Sequence, residues 1–332
     1  MTWTNVHGVD ADIAREIVEA SSAHEAALTR LRAAHPRAVD VFSATDLIGA
    51  PRLLRMRRAW ADRIVEDVGE GLKAFAGRAV HAYMHSRCRA EALSEERLAV
   101  ELDVDGTPVV VTGAVDHYEE AGGGLVKDWK TTSVYAWKLG DKQAKPEHEC
   151  QVNVYAWLLE EHGFSVARGE VAELYLDWKK REAKKARAGS YPPVGQVTWK
   201  TPIWTYEDRL AYVVERARLH LRYRLAEPES VPVCEPEERW QRPGAFAVMR
   251  EGKTRAENGG VFEVDRFESR GDAHTAAMVR LREAKEADPK RAADYKVEVR
   301  LGEDRRCQDF CNVRALCSHG QAVGAKETGG SE

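Results

Sequence analysis

The sequence has no run of 18 apolar residues, so it offers no candidate for a membrane-spanning helix. Its first twenty residues lack the basic flank and the apolar stretch of a secretory signal, which predicts a protein that stays in the cytoplasm. The charge balance shows little excess of either sign: the formal net charge of the 332 residues is −4. That sum argues against a protein coated all over with nucleic acid, although a local basic groove is compatible with it.

A phosphate-binding loop for ATP is also missing. The segment EGKT at 251–254 ends like such a loop, but the motif requires a glycine five residues before its second glycine, and residue 247 is alanine. We therefore expect no ATP site in this chain.

The pattern of apolar residues predicts a mixed α/β protein in which helices pack on a central sheet. Hydrophobic residues make up 43% of the chain, which is enough for a large soluble core. The predicted order is a helix ending at Pro36, a long helix over 60–93, strands at 97–106, 108–118 and 124–131, a helix over 147–163, strands at 171–180 and 196–206, and a helix over 207–227. The long helix would carry Ile64, Val68, Leu72 and Phe75 on one stripe.

The stretch GAVDHYEEAGGGLVKDWKTT at 113–132 reads as a β-hairpin, because two valine-rich runs flank the turn signal Gly122–Gly124. Side chains alternate along a strand, so Asp128 and Lys130 share one face of the second strand. The first strand ends at Asp116. Two carboxylates and an ammonium are unusual in a core, and they suit a site that holds a metal ion and an anionic substrate.

These residue types match the needs of phosphodiester hydrolysis. Mg²⁺ prefers oxygen ligands, usually one or two carboxylates with several waters, and Asp116 and Asp128 can supply the carboxylates. Lys130 can contact the scissile phosphate and the attacking water, where negative charge develops.

Four motifs in this order resemble the PD-(D/E)XK nuclease superfamily in its RecB-like branch, including CRISPR-associated and phage-type exonucleases. They are GRAVH at 77–81, GAVD at 113–116, DWK at 128–130 and QVNVY at 151–155. The resemblance implies a restriction-endonuclease-like mixed sheet flanked by helices. It also implies that His81, Asp116, Asp128 and the carbonyl of Trp129 bind Mg²⁺ or Mn²⁺, that Lys130 is catalytic, and that Gln151 and Tyr155 act near the DNA backbone and the active site.

On this reading the chain divides into four parts: an N-terminal helical segment over 1–60, the nuclease core over 61–230, a cysteine-ligated, metal-stapled extension over 231–318 and a disordered tail over 319–332. The tail is small and polar, a composition typical of disorder.

Three of the six cysteines cluster near the C-terminus as Cys307, Cys311 and Cys317. Clustered thiols in a reducing compartment indicate a metal or an iron–sulfur site rather than disulfides. The resembled nucleases carry a four-cysteine [4Fe–4S] cluster whose fourth cysteine lies before the nuclease core, but Ala50 stands there in this chain. Cys234 is the best substitute and Cys88 the alternative. Zinc is the competing metal, and His319 could complete a Cys3His site.

A basic run at 179–187 contains Lys179, Lys180, Arg181, Lys184, Lys185 and Arg187. It is either a solvated loop or an arm that follows DNA phosphates. The tryptophans Trp178, Trp199 and Trp204 flank it and either stack on bases or belong to the core.

The function we expect is metal-dependent DNA exonuclease activity that leaves 5′-phosphate products, in recombination, repair or end processing. The partners would be DNA with a free end and a recombination or repair protein. One alternative is a catalytically silent DNA-binding subunit of a larger complex, and another is a restriction-type endonuclease.

Overall fold

The computed structural model describes residues 1–89, 91–139, 143–253, 256–257 and 259–328. The chain divides into two compact units, Met1–Val231 and Pro232–Glu332.

The first unit contains both strands and helices, with β4 to β7 consecutive along the chain. The strands are β1 (Thr2–Thr4), β2 (Asp40–Ser43), β3 (Val65–Asp67), β4 (Glu96–Val104), β5 (Thr107–Val115), β6 (His117–Glu119), β7 (Leu125–Thr132), β8 (Arg168–Tyr175) and β9 (Gln196–Thr201). The helices are α1 (Ala11–Ala34), α2 (Ala44–Ile48), α3 (Pro51–Ala59), α4 (Leu72–Ser86), α5 (Val134–Leu139), α6 (Pro146–Glu161), α7 (Lys180–Lys185) and α8 (Tyr206–Tyr223), with a 3₁₀ turn at Pro228–Ser230.

Two sheets form the centre of this unit, and they meet at Asp116. One has the order β2-β5-β4 and the other β6-β7-β8-β9. β2 is parallel to β5 and β7 is parallel to β8, while the remaining pairs are antiparallel. Because only Asp116 separates β5 from β6, one extended segment passes from the first sheet into the second. The expected mixed α/β class is therefore confirmed.

Helix α6 packs against strands of both sheets and is the most buried helix of the unit. The residues from Gln151 to Leu159 are all buried, and Val152, Ala156 and Leu158 are inaccessible to solvent. A helix that is apolar nearly all round lies inside a core rather than on a surface. Its other neighbours include α2 and α8, so α6 lies between the sheets and a helical layer.

The predicted hairpin is present as β6, a turn through Gly122–Gly124 and β7. All three glycines have positive φ, which is the conformation that glycine adopts without strain. At Gly124 a side chain would also collide with the chain, because a Cβ would lie 1.8 Å from the carbonyl oxygen of Ser165.

The prediction of one long helix over 60–93 is wrong. β3 occupies Val65–Asp67 and pairs in parallel with β1, and α4 begins only at Leu72. The carboxylate of Asp67 accepts hydrogen bonds from the Thr4 hydroxyl and from two backbone N–H groups, which favours the turn over a helix. Of the proposed stripe, Ile64 is buried but Leu72 is 40% exposed.

The second unit contains short strands and helices. They are β10 (Gln241–Arg242), β11 (Ala245–Arg250), β12 (Val261–Glu263), α9 (Arg270–Ala287), β13 (Tyr295–Arg300), β14 (Glu303–Asp304), α10 (Arg305–Asp309) and α11 (Ser318–Thr328), with 3₁₀ turns at Val264–Arg266 and Pro289–Asp294. β11 is the central strand between β12 and β13, and α9 packs on this sheet through small residues such as Ala273 and Ala277.

Helix α11 extends to Thr328, whereas the sequence predicts a disordered tail from residue 319. Residues 329–332 lie outside the described residues. The EGKT segment also lies partly outside them, because residues 254 and 255 are not described. Within the described ranges, no helix is long and apolar enough to cross a membrane.

We expect Gly124→Ala to lower the free energy of unfolding of the first unit by about 3 kcal/mol or more. The left-handed backbone costs an alanine about 1 kcal/mol, and the collision with Ser165 adds to that. Urea denaturation followed by tryptophan fluorescence reports on this unit, because Trp240 alone of the nine tryptophans lies outside it. Gly106→Ala is the control, since Gly106 has a similar φ of +79° but open space around it. Equal losses in the two variants would contradict the steric account.

Candidate active site

The end of β5 and the middle of β7 bring two acidic side chains into one buried site. Asp116 is 5% exposed and Asp128 is fully buried. Burial, and after it the nearby charge of Asp128, raises the pKa of Asp116 to about 7. The Oδ2 atom of Asp128 has no hydrogen-bond partner. A cation between two carboxylates placed this way would relieve the repulsion between their charged forms.

Lys130 lies on the same face of β7 as Asp128, as the alternation predicted. Its Nζ donates a hydrogen bond of 2.6 Å to Asp128 Oδ1, which leaves Oδ2 for another ligand. Lys130 is half-buried, with its side chain 24% exposed, so its ammonium reaches solvent at the site.

The backbone at Trp129 is available because β6 stops early. The β6–β7 pairing ends at Lys127, so the N–H and C=O of Trp129 on that edge have no strand partner. The N–H donates to Asp116 Oδ2 at 2.8 Å, and the carbonyl lies 2.9 Å from Nε2 of His81. The strand edge thereby fixes both an acidic side chain and a carbonyl oxygen in the same place.

His81 on α4 completes the group of predicted metal-binding residues. Its Nδ1 lies 2.9 Å from Glu95 Oε1 and 3.7 Å from Asp116 Oδ1. The hydrogen bond to Glu95 raises the pKa of His81, and the charge of Asp116 adds to that effect. A cation site on these residues fits the donor set of one imidazole, carboxylate oxygens and a backbone carbonyl, a combination that suits Mg²⁺ or Mn²⁺.

Glu95 is a residue that the sequence analysis missed. Among the described residues, His81, Glu95 and Asp116 form a group of possible metal ligands. One ligand atom from each lies within 4.8 Å of the other two. Glu95 lies in the turn before β4, in the segment LSEERL, which has no pattern that separates it from other acidic surface residues.

Gln151 and Tyr155 face the acidic pair from α6. The Nε2 of Gln151 donates to the Tyr155 hydroxyl at 2.7 Å, one helical turn away. Burial raises the pKa of Tyr155, and Asp116 and Asp128 raise it further, so the hydroxyl stays neutral beside them. Gly113 makes room for this ring, because a Cβ there would lie 2.8 Å from the Tyr155 ring.

A third buried acid, Glu173, lies beside Lys130 on the paired strand β8. Its Oε2 accepts hydrogen bonds from the Tyr175 hydroxyl and the Trp199 indole, at 2.7 and 3.1 Å. These contacts assign Trp199 a packing role. Trp178 and Trp204 also donate to fixed acceptors, Pro192 O and Glu149 Oε1, and both are half-buried.

The basic run forms a short helix, α7, where we expected a loop, and it follows β8 directly. The side chains of Lys179, Lys180, Arg181, Lys184, Lys185 and Arg187 are all exposed. The run is therefore a positively charged surface of the first unit, available to phosphate groups.

The four cysteines of the proposed cluster all lie in the second unit. Burial, and after it the charges of Glu238 and of the thiols of Cys307, Cys311 and Cys317, raises the pKa of Cys234 to about 12. The four thiols are thus close enough to interact. Cys88, the alternative fourth ligand, belongs to the first unit, where its Sγ lies 3.4 Å from His117 Nδ1.

Among the described residues, no three cysteine sulfurs lie within 4.8 Å of one another. Nε2 of His319, the alternative fourth zinc ligand, lies 2.7 Å from Asp304 Oδ2, and its Nδ1 is the nitrogen that could bind a metal.

Comparison with known proteins defines the class. The model of the PD-(D/E)XK nuclease superfamily matches residues 33–318, which is most of the chain. The chain therefore belongs to the PD-(D/E)XK nuclease superfamily, whose members are nucleases.

The other comparisons add little to that assignment. One similar solved structure is described as "Crystal structure of SSO0001", with 16% sequence identity, a TM-score of 0.42, and coverage of 65% of this chain and 86% of that one. A likeness at that level carries no information about function. No curated protein matches the chain in sequence.

The raised pKa of Asp116 predicts how the metal-free protein responds to pH. Below about pH 3.9, the ordinary pKa of an unfolded aspartate, Asp116 is protonated in both states and its burial does not depend on pH. Above that pH the unfolded state ionises more readily than the folded state, so the folded protein loses stability until the pH passes about 7. The raised pKa of His81 acts in the same direction, because its stabilising charge is lost as the pH rises through that pKa. At pH 8 in EDTA, Asp116→Asn should therefore unfold with a free energy roughly 1–3 kcal/mol higher than the wild type, with little difference at pH 4.

Urea denaturation at the two pH values measures this difference. Asp105→Asn is a control of opposite sign, because the hydrogen bond from Arg218 lowers the pKa of Asp105 and stabilises its charged form. An Asp116→Asn protein that is less stable than the wild type at pH 8 would contradict the claim that the buried charge of Asp116 destabilises the metal-free protein.

Proposed function

We propose that this protein is a Mg²⁺- or Mn²⁺-dependent exonuclease that hydrolyses DNA from a free end and leaves 5′-phosphate products. The observation that carries the proposal is the buried pair Asp116 and Asp128, with the unpartnered Oδ2 atom of Asp128 and Lys130 beside it. A bound divalent ion supplies Lewis-acid chemistry at the phosphate and lowers the pKa of water.

The residues of the chain have separate tasks in this proposal. His81, Asp116, Asp128 and the Trp129 carbonyl hold the ion. Lys130 contacts the scissile phosphate and the attacking water, where its charge offsets the charge that develops during hydrolysis. Its contact with Asp128 Oδ1 keeps the ammonium at the site before substrate arrives.

Gln151 and Tyr155 contribute neutral hydrogen-bonding groups. The buried Tyr155 hydroxyl stays protonated beside the carboxylates, so it can donate a hydrogen bond to a phosphate oxygen. This helix motif and His81 support assignment to the RecB-like branch, in which exonucleases are common, rather than to restriction-type endonucleases.

DNA binding in the proposal uses the exposed cations of the basic run. Lys179, Lys180, Arg181, Lys184, Lys185 and Arg187 follow β8 in the same unit as the site. Contacts with phosphates give affinity without dependence on sequence, which suits an enzyme that degrades any end. The proposed setting is cytoplasmic recombination, repair or end processing, of bacterial or phage type, alongside a recombination or repair protein.

We further propose that Cys234, Cys307, Cys311 and Cys317 hold a [4Fe–4S] cluster. Support comes from the proximity of the four thiols, since Cys307, Cys311 and Cys317 each act on the pKa of Cys234. The cluster would join the segment around Cys234 to the C-terminal helices, and its binding free energy would stabilise that fold.

The exonuclease proposal predicts cleavage of linear DNA with a labelled end and no cleavage of covalently closed circular DNA, in the presence of Mg²⁺ or Mn²⁺. Products should be short 5′-phosphorylated pieces, and EDTA should stop the reaction. Substrates labelled at the 5′ or the 3′ end measure the polarity. Cleavage of closed circles would contradict exonuclease action and favour the endonuclease alternative.

Two variants separate catalysis from binding in the same assay. Lys130→Ala and Asp128→Asn should lower the cleavage rate by about 10²-fold or more while DNA affinity changes little. Lys127→Ala is the matched control, because Lys127 is on the same strand but pairs with Glu170. Wild-type rates in both Asp128→Asn and Lys130→Ala would favour a silent DNA-binding subunit with a contaminating nuclease.

The cluster proposal predicts about four irons per chain and a broad absorption near about 400 nm in protein purified without oxygen. Cys311→Ala should lose the colour and become sensitive to proteolysis in its C-terminal third, because the cluster stabilises that fold. Cys150→Ala, in the first unit, is the control and should keep the iron. A colourless protein with one zinc per chain would contradict the cluster.

A further inference from the structure

The contact between Glu95 and His81 has no counterpart among the motifs that define the site. Glu95 Oε1 lies 2.9 Å from Nδ1 of His81, and the two side chains are 32% and 25% exposed. The opposite nitrogen, Nε2, lies 2.9 Å from the carbonyl oxygen of Trp129. Both ring nitrogens therefore face an oxygen that accepts hydrogen bonds.

A neutral imidazole has one N–H and so satisfies one of these two oxygens. A protonated imidazole donates to both oxygens, whereas an imidazole that binds an ion through one nitrogen keeps its N–H on the other. With an ion bound to His81, one ring nitrogen would therefore face the ion and the other would keep its hydrogen bond.

The arrangement of the strands indicates which side takes which. Nε2 faces β7, the strand that carries Asp128 and the Trp129 carbonyl. Nδ1 faces the turn before β4, where Glu95 Oε1 lies at 2.9 Å, closer than Asp116 Oδ1 at 3.7 Å. A histidine that binds a metal through one nitrogen commonly donates its other N–H to a carboxylate, which fixes the ring and its tautomer.

We propose that Glu95 is a positioning residue that holds the Nδ1–H of His81, so that Nε2 is the nitrogen that binds the divalent ion. This inference rests on the proposed metal-dependent function. Glu95 does not itself bind the ion; it acts through His81.

The backbone around Glu95 supports a defined position for this carboxylate. Glu95 has a φ of 53°, a left-handed conformation that is unfavourable for a side chain with a Cβ. The turn is held to Asp116 by two hydrogen bonds, from the Glu95 N–H and the Ser94 hydroxyl to the Asp116 carbonyl, at 3.3 and 3.0 Å. The residue that positions His81 is therefore attached to the backbone of the acidic residue beside it.

The test is a titration of the full-length, DNA-free protein with Mn²⁺, followed by calorimetry. Glu95→Gln should weaken Mn²⁺ binding about 10- to 100-fold, as loss of a carboxylate behind a metal-bound histidine does. Glu96→Gln, an exposed neighbour that carries the same charge, is the control and should bind as the wild type does. Thermal melting in EDTA checks that the Glu95→Gln protein is folded.

A double-mutant cycle distinguishes positioning from direct binding. In a His81→Ala background, Glu95→Gln should have little further effect on Mn²⁺ affinity, because there is no histidine left to orient. A full additional loss in that background would mean that Glu95 binds the ion directly, and it would overturn the inference. Pulsed electron paramagnetic resonance adds a second readout: nitrogen coupling to Mn²⁺ is expected in the wild type and in Glu96→Gln, and reduced in Glu95→Gln.

The same measurements separate this inference from the function on which it rests. Tight Mn²⁺ binding that is equal in the wild type and Glu95→Gln would overturn the role of Glu95 and leave the metal-dependent nuclease in place. A folded wild-type protein that binds no Mn²⁺ or Mg²⁺ would overturn both.

Discussion

The site depends on the repulsion between two carboxylates, Asp116 and Asp128, that are buried next to each other. Within the part of the chain that the structure describes, no arginine pairs with either carboxylate, and the ammonium of Lys130 contacts one oxygen of Asp128 and leaves the other without a partner. In the proposed function, repulsion of this kind would destabilise the metal-free protein and favour binding of a divalent ion, because the ion removes an unfavourable interaction as well as forming new ones. Stability and function are therefore linked through the same pair.

The fold creates this pair by ending one strand pairing early. β6 stops opposite Lys127, and the free edge of β7 presents the N–H and C=O of Trp129 to side chains instead of to a strand. Asp116 takes the N–H at the point where the chain passes from one sheet to the other. The buried helix α6 then closes the site from one side with Tyr155, for which Gly113 leaves space. The edge of β7, the junction of the two sheets at Asp116 and helix α6 thus each form one side of the site.

Several of these features were readable in the sequence because they depend on short-range periodicity. Alternation along β7 placed Asp128 and Lys130 on one face, three glycines marked the turn, and the sequence of α6 predicted a helix. The prediction of a long helix over 60–93 is wrong for a physical reason. The pairing of β3 with β1 and the hydrogen bonds to Asp67 stabilise a strand and a turn more than the apolar stripe stabilises a helix. Such competition between distant segments leaves no periodic signal.

The sequence by itself determined the class of the sheet, the hairpin and the spacing of the acidic and basic side chains, since local propensity and side-chain alternation act within a few residues. Tertiary structure alone decided that Glu95 lies against His81, that Glu173 lies beside Lys130 and that four thiols come together from both ends of the second unit. These contacts join residues of ordinary appearance that are separated along the chain, and only the packing of the elements fixes their distances.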